Sequence, residues 1–379
     1  MIRLAIPAID QDEIDAVTAV LRSGYLVQGP KVAEFESALA QLVGVQHAVA
    51  VSSGTSALHL ALVALGIGPG DIVITTAYSW PATANVIELC GAETRFVDIC
   101  LDDFNIDVVQ LEAECERLQA DPNTSDRIKA IMPVHAFGMP ANMGEIVKIA
   151  AKYGLNVVED AACALGASWA GKPCGSWGAM GCFSFHPRKA ITTGEGGVIT
   201  TNDTALANRL KTLRNHGLSP TASTPDFIAA GFNYRLTDIG AAIGLAQLGK
   251  LETLLARRRE KVACYTELLK EANVLPPKEQ AQAKSVFQSY VIKIADDNVN
   301  KHIIEMLRER GVESTIGTYH VPMIRYFREK YAIQTGDFPV ADIAMQSALT
   351  LPLHHELTVD DQRFVVEQLL SSITAVVSE

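Results

Sequence analysis

The chain has no lysine and arginine cluster longer than three residues, no CxxC pair, no dinucleotide or Walker-type glycine spacing, no internal repeat and no low-complexity tract. Each absence removes a class of function. A net charge of −11 without a basic patch excludes nucleic acid and anionic membrane as expected partners, while leaving room for a small anionic substrate in a locally positive pocket. The seven cysteines (90, 100, 115, 163, 174, 182 and 264) are odd in number and scattered, which argues against a disulfide framework and against a zinc site; no metal is expected. Polar residues interrupt every candidate for a span of about 20 apolar residues. The opening Met1-Ile-Arg-Leu-Ala-Ile-Pro7 lacks the apolar stretch of an export signal, so a cytoplasmic protein is expected and the sequon Asn123-Thr-Ser125 is a spelling only.

What is present is alternation. Short apolar runs at 48–51, 71–76, 94–99, 128–134, 155–159, 182–185 and 198–201 read as strands, with helical patterns such as 81–90 and 143–153 between most of them. Residues 12–22 read as an amphipathic helix with Ile14, Val17 and Leu21 on one face and Gly24 just past its end. Repeated β-α units imply an α/β protein with a mainly parallel sheet flanked by helices and functional residues at strand ends. The charged segment 115–127, with Asp121-Pro-Asn-Thr-Ser-Asp126, reads as a surface loop. A long helical pattern starts at Asp238 and runs past Arg259, and its basic run Arg257-Arg-Arg259 is expected on a solvated face. Beyond it, 287–294 reads as a strand, 301–310 as a helix and 359–377 as a terminal helix capped by Thr358. At 379 residues two domains are expected, a large one over 1–248 and a smaller α+β one over 249–379.

Three segments carry chemistry. Lys189 lies between an apolar strand and a glycine-rich stretch, which suits an amine kept out of bulk water so that part of it is neutral and nucleophilic. Asp160 ends the apolar strand Leu155-Asn-Val-Val-Glu159, where it can hold a proton on the ring nitrogen of pyridoxal phosphate or cap the next helix, and Glu159 beside it could equally be the surface partner. The turn Ser52-Ser-Gly-Thr-Ser56 sits between a strand and a helix rich in Ala and Leu. Its backbone N–H groups and the helix dipole favour a phosphate there, with hydroxyls of Thr55 and Ser56 to add.

Taken in order, Gly24-Tyr-Leu-Val-Gln-Gly-Pro30, Ser53-Gly-Thr-Ser-Ala-Leu58, Pro133-Val-His135, Glu159-Asp-Ala-Ala162, Ser184-Phe-His-Pro-Arg-Lys189, Thr193-Gly-Glu-Gly-Gly197, Gly231-Phe-Asn-Tyr-Arg235 and Leu351-Pro-Leu353 resemble the DegT/DnrJ/EryC1/StrS sugar aminotransferases, over nearly the whole chain. The resemblance implies the aspartate-aminotransferase fold type I. It makes Lys189 the Schiff-base lysine and later proton shuttle, Asp160 the partner of the ring nitrogen, Gly54, Thr55, Ser56 and Ser184 phosphate ligands, and Trp80 the aromatic stacked on the ring. Asn233 would reach the phosphate from a neighbouring subunit, implying a homodimer with shared active sites. One position departs from the pattern: where the family has Gln or His against the cofactor's phenolic oxygen, this chain has Cys163, a poor hydrogen-bond partner, read here as a plain buried apolar residue.

The implied cofactor is pyridoxal 5'-phosphate, passing through pyridoxamine 5'-phosphate. The implied reaction moves an amine from a donor, L-glutamate, to a nucleotide-linked keto sugar. Tyr25, His186, Arg235 and His320 are candidates for the substrate cleft, with structural roles equally open to each; Arg235 could fork onto a carboxylate or phosphate. Two other readings stay open: a pyridoxamine-dependent sugar dehydratase, which Lys189 argues against, and a cofactor-binding regulator without turnover, which no basic patch supports.

Overall fold

The computed structural model describes residues 1–295 and 299–377. Helices α1 (Gln11–Ser23) and α2 (Pro30–Val43) precede β1 (His47–Val51) and α3 (Gly54–Leu65). Then follow β2 (Ile72–Thr76), β3 (Tyr78–Ser79), α4 (Ala82–Leu89), β4 (Glu93–Val97), α5 (Val108–Ala120), β5 (Ile128–Met132), α6 (Met143–Tyr153) and β6 (Asn156–Asp160). β7 (Ser168–Trp169), β8 (Lys172–Pro173), β9 (Met180–Ser184), β10 (Gly197–Thr201) and α7 (Thr204–Arg214) come next, and α8 (Asp238–Leu268) leads into the remainder. That remainder holds β11 (Val274–Leu275), β12 (Ala283–Lys284), β13 (Tyr290–Ile294), α9 (Asn300–Glu309), β14 (Thr315–Ile316), β15 (Tyr319–His320), α10 (Arg325–Tyr331), α11 (Pro339–Ser347), β16 (Ala348–Leu351) and α12 (Val359–Val377).

Seven strands form one sheet in the order β1-β10-β9-β6-β5-β2-β4. Only β10 runs antiparallel to its neighbours. The strands are buried on both faces, and consecutive residues feed different cores, as a period of two requires. On β2, Val73 packs into the core under α3 and α4, while Ile72 and Ile74 pack with α5 and α6. On β6, Val158 goes to the first side and Val157 to the second. This parity decides where the next two residues, Glu159 and Asp160, can point. A second sheet, β11-β13-β16-β14, packs on α9 and α12.

The helix ends follow local rules. Asp10 and Glu13 form a capping box at the start of α1, and Gly24, at φ 75°, closes it. Thr358 and Asp361 exchange backbone and side-chain bonds at the start of α12. α8 is long and apolar enough to cross a membrane by length and composition. It spends that surface on α1, α2 and α12 instead. Its Leu251 and Leu255 join the core of the large sheet, and Val262 and Tyr265 join that of the second, so this one helix serves both cores.

Two expectations are corrected. Residues 115–120 are helical, because Leu111, Cys115 and Leu118 recur at helical spacing and bury the inner face of α5; only 121–127 turns. The basic run is not a solvated face as a whole. Arg257 is exposed, but Arg258 turns inward and donates to the carbonyls of Phe287, Gln288 and Leu353, while Arg259 pairs with Glu279.

Candidate active site

At the C-terminal edge of the large sheet a cavity of about 500 Å³ opens, lined among others by Gly54, Thr55, Trp80, Thr83, Asp160, Cys163, Ser184, His186, Arg188 and Lys189. Segments far apart in sequence meet here because parallel strands deliver their ends to one edge. Ser184 ends β9 and Lys189 follows five residues later, its own N–H bonded to the carbonyl of His186. The Lys189 amine donates to Cys163 Sγ at 3.1 Å. Cys163 is therefore a wall of the cavity in contact with the reactive amine. The reading as a plain apolar filler is corrected: the turn after β6 presents the thiol to the cavity.

Asp160 shares the side of the sheet used by Val158, under α3 and α4. It is 5% exposed. One carboxylate oxygen accepts from Thr83 Oγ1 at 2.8 Å and the other from the backbone N–H of Ala162 at 3.2 Å. Burial pushes its carboxyl above the ordinary range, and the Thr83 and Ala162 donors pull part of the way back. No lysine or arginine forms an ion pair with it among the described residues.

Ser53 caps α3 by accepting from the N–H of Ser56, and the first turn of that helix faces the cavity through Gly54 and Thr55. At Gly54 a Cβ would lie 2.7 Å from Ser184 Cβ. Only glycine lets the helix N-terminus come down onto the serine and leave a concave, donor-rich corner.

The other candidates fall into two groups. His186 lines the cavity, its Nδ1 accepting from the N–H of Arg188. Trp80 stands at the mouth, 61% exposed, edge-on to Tyr319 at 5.4 Å. Five residues lie outside the cavity lining. Ser56 is turned to the hydroxyls of Ser52 and Ser53 and serves the cap, not the cavity, because its helical position faces the preceding turn. His320 is 5% exposed and directed to Asp342 at 3.2 Å, since β15 pairs with β3 and places its two residues on opposite sides. Arg235 donates to Asn215 Oδ1 at 2.9 Å, and the exposed Asn233 pairs its backbone with the same residue. Tyr25 is 69% exposed just beyond α1.

Glu159 is not a surface partner. It is fully buried on the opposite side, accepting from the N–H groups of Gly175, Trp177 and Gly178 and from His135 Nε2 at 3.1 Å. His135 Nδ1 accepts from the N–H of Ala141, which places the ring proton on Nε2. Sequence reasoning missed Thr83, Ser79, Arg188 and Gln288 as cavity residues. Arg188 carried a signal, its place beside Lys189. Nothing in one dimension ties Thr83 to a carboxylate 77 residues away.

The profile of the DegT/DnrJ/EryC1/StrS aminotransferase family matches residues 7–370. The chain belongs to this family. It is a pyridoxal-phosphate-dependent sugar aminotransferase with the type I fold of such enzymes. It is 39% identical to the GDP-perosamine synthase of Caulobacter vibrioides over 97% of each chain, and 33% identical to the UDP-4-amino-4-deoxy-L-arabinose–oxoglutarate aminotransferase of Shewanella sediminis over 98% of this chain and 97% of that one. Among solved structures, the putative sugar aminotransferase Spr1654 of Streptococcus pneumoniae in its PMP-form superposes with a TM-score of 0.93 at 27% identity, covering 100% of this chain and 98% of that one. The same relative is known in a PLP-form.

The residues of this family member fit the cofactor. Asp160 is a buried carboxylate facing a cavity and short of a cation, as a protonated pyridine would require, and the corner made by Gly54, Thr55 and Ser184 suits a phosphate.

Proposed function

We propose that the enzyme aminates a nucleotide-linked keto sugar, with L-glutamate as amino donor, in the making of an amino sugar for polysaccharide or natural-product biosynthesis. The observation that carries this is the joint presence of the Lys189 amine, the Asp160 carboxylate and the Gly54–Ser184 corner in one cavity large enough for cofactor and sugar together. The two curated relatives act on a GDP-linked and a UDP-linked sugar by name, which supports the substrate class.

Pyridoxal phosphate, when bound, supplies an electron sink that makes the proton on an amine-bearing carbon removable. The chain's own residues do the rest. Gly54, Thr55 and Ser184 would hold the phosphate, Asp160 would hold a proton at the ring nitrogen, and Trp80 would cover the mouth. Lys189 Nζ would take a proton from the amine-bearing substrate carbon and give it back on the far side of the nitrogen, positioned acid–base work that typically contributes about 10² to 10⁴-fold. The thiol of Cys163, within reach of the same nitrogen, takes the place that Gln or His fills elsewhere in the family. Asn233 and the exposed Tyr25, Leu26 and Val27 support a homodimer, with Asn233 reaching the partner's phosphate corner.

The test loads the enzyme with pyridoxamine phosphate and screens nucleotide-linked keto sugars by mass, looking for replacement of oxygen by an NH-bearing group. One product with the cofactor returned to its aldehyde form is expected. Conversion of the lysine-bound cofactor by L-glutamate without any sugar product would sink the acceptor assignment, and no response to glutamate would favour the regulator.

A further inference from the structure

Behind Asp160 lies a chain of two hydroxyls. Thr83 Oγ1 donates to Asp160 Oδ2 at 2.8 Å and lies 2.9 Å from Ser79 Oγ. A threonine hydroxyl has one proton and an ionised carboxylate only accepts, so the Thr83 proton is committed to Asp160 and Ser79 must donate to Thr83. The chain therefore has one polarity, from Ser79 through Thr83 to Asp160. Both hydroxyl residues are buried, at 4% and 1% exposure, and both line the cavity. Their placement is rigid at each end. Thr83 is in the first turn of α4, and Ser79 is on β3, whose sheet partner is β15, in register with Tyr319.

Asp160 needs such support. The other groups facing it are Lys189 from the turn after β9, His135 three residues past β5 and the Cys182 thiol on β9. Lys189 is bonded to Cys163 and His135 to Glu159. Beyond the N–H of Ala162, Thr83 is the donor that fixes the carboxylate.

We propose that Thr83, backed by Ser79, is a positioning residue for the reaction: it fixes one oxygen of Asp160 and shares its negative charge, so that the carboxylate keeps the ring nitrogen of pyridoxal phosphate protonated. The proposal rests on the reading of the cavity as that cofactor's site. Because β15 sets the register of Ser79, the chain also ties the cofactor's carboxylate to a strand supplied by the C-terminal part of the molecule.

The experiment reconstitutes the holoenzyme with pyridoxal phosphate carrying ¹⁵N in the ring and records the ring-nitrogen shift across pH. Thr83→Val, nearly isosteric, is expected to move the shift toward the unprotonated value at neutral pH and to weaken cofactor affinity about tenfold, as loss of a hydrogen bond to a charged group implies. Thr83→Ser is expected to restore both. Ser79→Ala is expected to move both in the same direction by a smaller factor, and it decides the matter if Thr83→Val does not fold. A wild-type ring-nitrogen signal retained in Thr83→Val, or in Ser79→Ala in its stead, with unchanged affinity overturns the proposal. A wild-type protein that takes up no lysine-bound cofactor overturns the cofactor reading itself, and this proposal with it.

Discussion

Glu159 and Asp160 are adjacent carboxylates at the end of one strand, and the regions on the two sides of the sheet treat them oppositely. Glu159 enters a nest built for it. Three backbone N–H groups and a histidine converge on it, and the turn that supplies them needs glycine: Gly175 has φ +82°, and a Cβ there would lie 2.4 Å from the ring of Phe183. Asp160 receives one hydroxyl and one N–H, and otherwise faces the cavity. A buried carboxylate with its acceptor capacity filled is architecture. One left short of donors, beside a reactive amine, is poised for a cation that arrives from outside.

The largest expected effect tests the cavity side outright. Lys189→Ala should abolish turnover together with the visible absorbance of the lysine-bound cofactor, and an active, still-yellow variant would break the assignment. Next in size is the pair of carboxamides. Asp160→Asn should slow the half-reaction with L-glutamate on the order of 10² to 10³-fold, since a charge aimed at the reacting system is lost. Glu159→Gln should leave that half-reaction within a few-fold and instead lower the unfolding free energy by about 1 to 3 kcal/mol, because a nest of N–H groups is left with an amide that cannot accept them all. Reversed outcomes would show that the two sides had been assigned the wrong way round. The pH dependence carries the same contrast. Burial raises the Asp160 carboxyl in the folded chain, so the folded state keeps that proton longer than the unfolded state does. The stability this confers is present below the ordinary carboxylate range and is lost as pH rises through the raised value. Denaturant titrations of the cofactor-free protein should show that decline, and Asp160→Asn should flatten it.

How far the sequence reached follows the same division. Strand ends, the lysine and the glycine-serine turn are local patterns, and the structure gathers Lys189, Asp160, Gly54, Thr55, Trp80, Cys163, Ser184 and His186 into one cavity. What was not legible depends on which face a side chain takes and on partners distant in the chain. Glu159 reads as a surface partner until the parity of β6, fixed by Val157 and Val158, turns it into the protein. Arg258 reads as a surface charge because the carbonyls it binds belong to residues 29, 30 and 95 positions away. His320 reads as a cleft residue until the pairing of β15 with β3 turns it toward Asp342. In each case the deciding contact is long-range, and composition around the residue is silent about it.

The smallest effects sharpen the contrast between a group that serves the fold and one that serves a ligand, within a single corner. Ser56 and Ser184 are both serines near the N-terminus of α3. The hydroxyl of Ser56 is occupied by those of Ser52 and Ser53, at 3.1 and 2.9 Å. That of Ser184 lines the cavity, with only a long 3.5 Å approach from the N–H of His186 among the described residues. Ser184→Ala should therefore weaken phosphate-bearing cofactor about tenfold in equilibrium dialysis, the size expected for one hydrogen bond to a charged group, with little change in the denaturation midpoint. Ser56→Ala should do the converse, costing about 1 kcal/mol of stability while affinity stays within twofold. Equal losses of affinity in the two variants would mean that the cap and the cradle are one unit, with Ser56 acting on the phosphate through the set of the helix end.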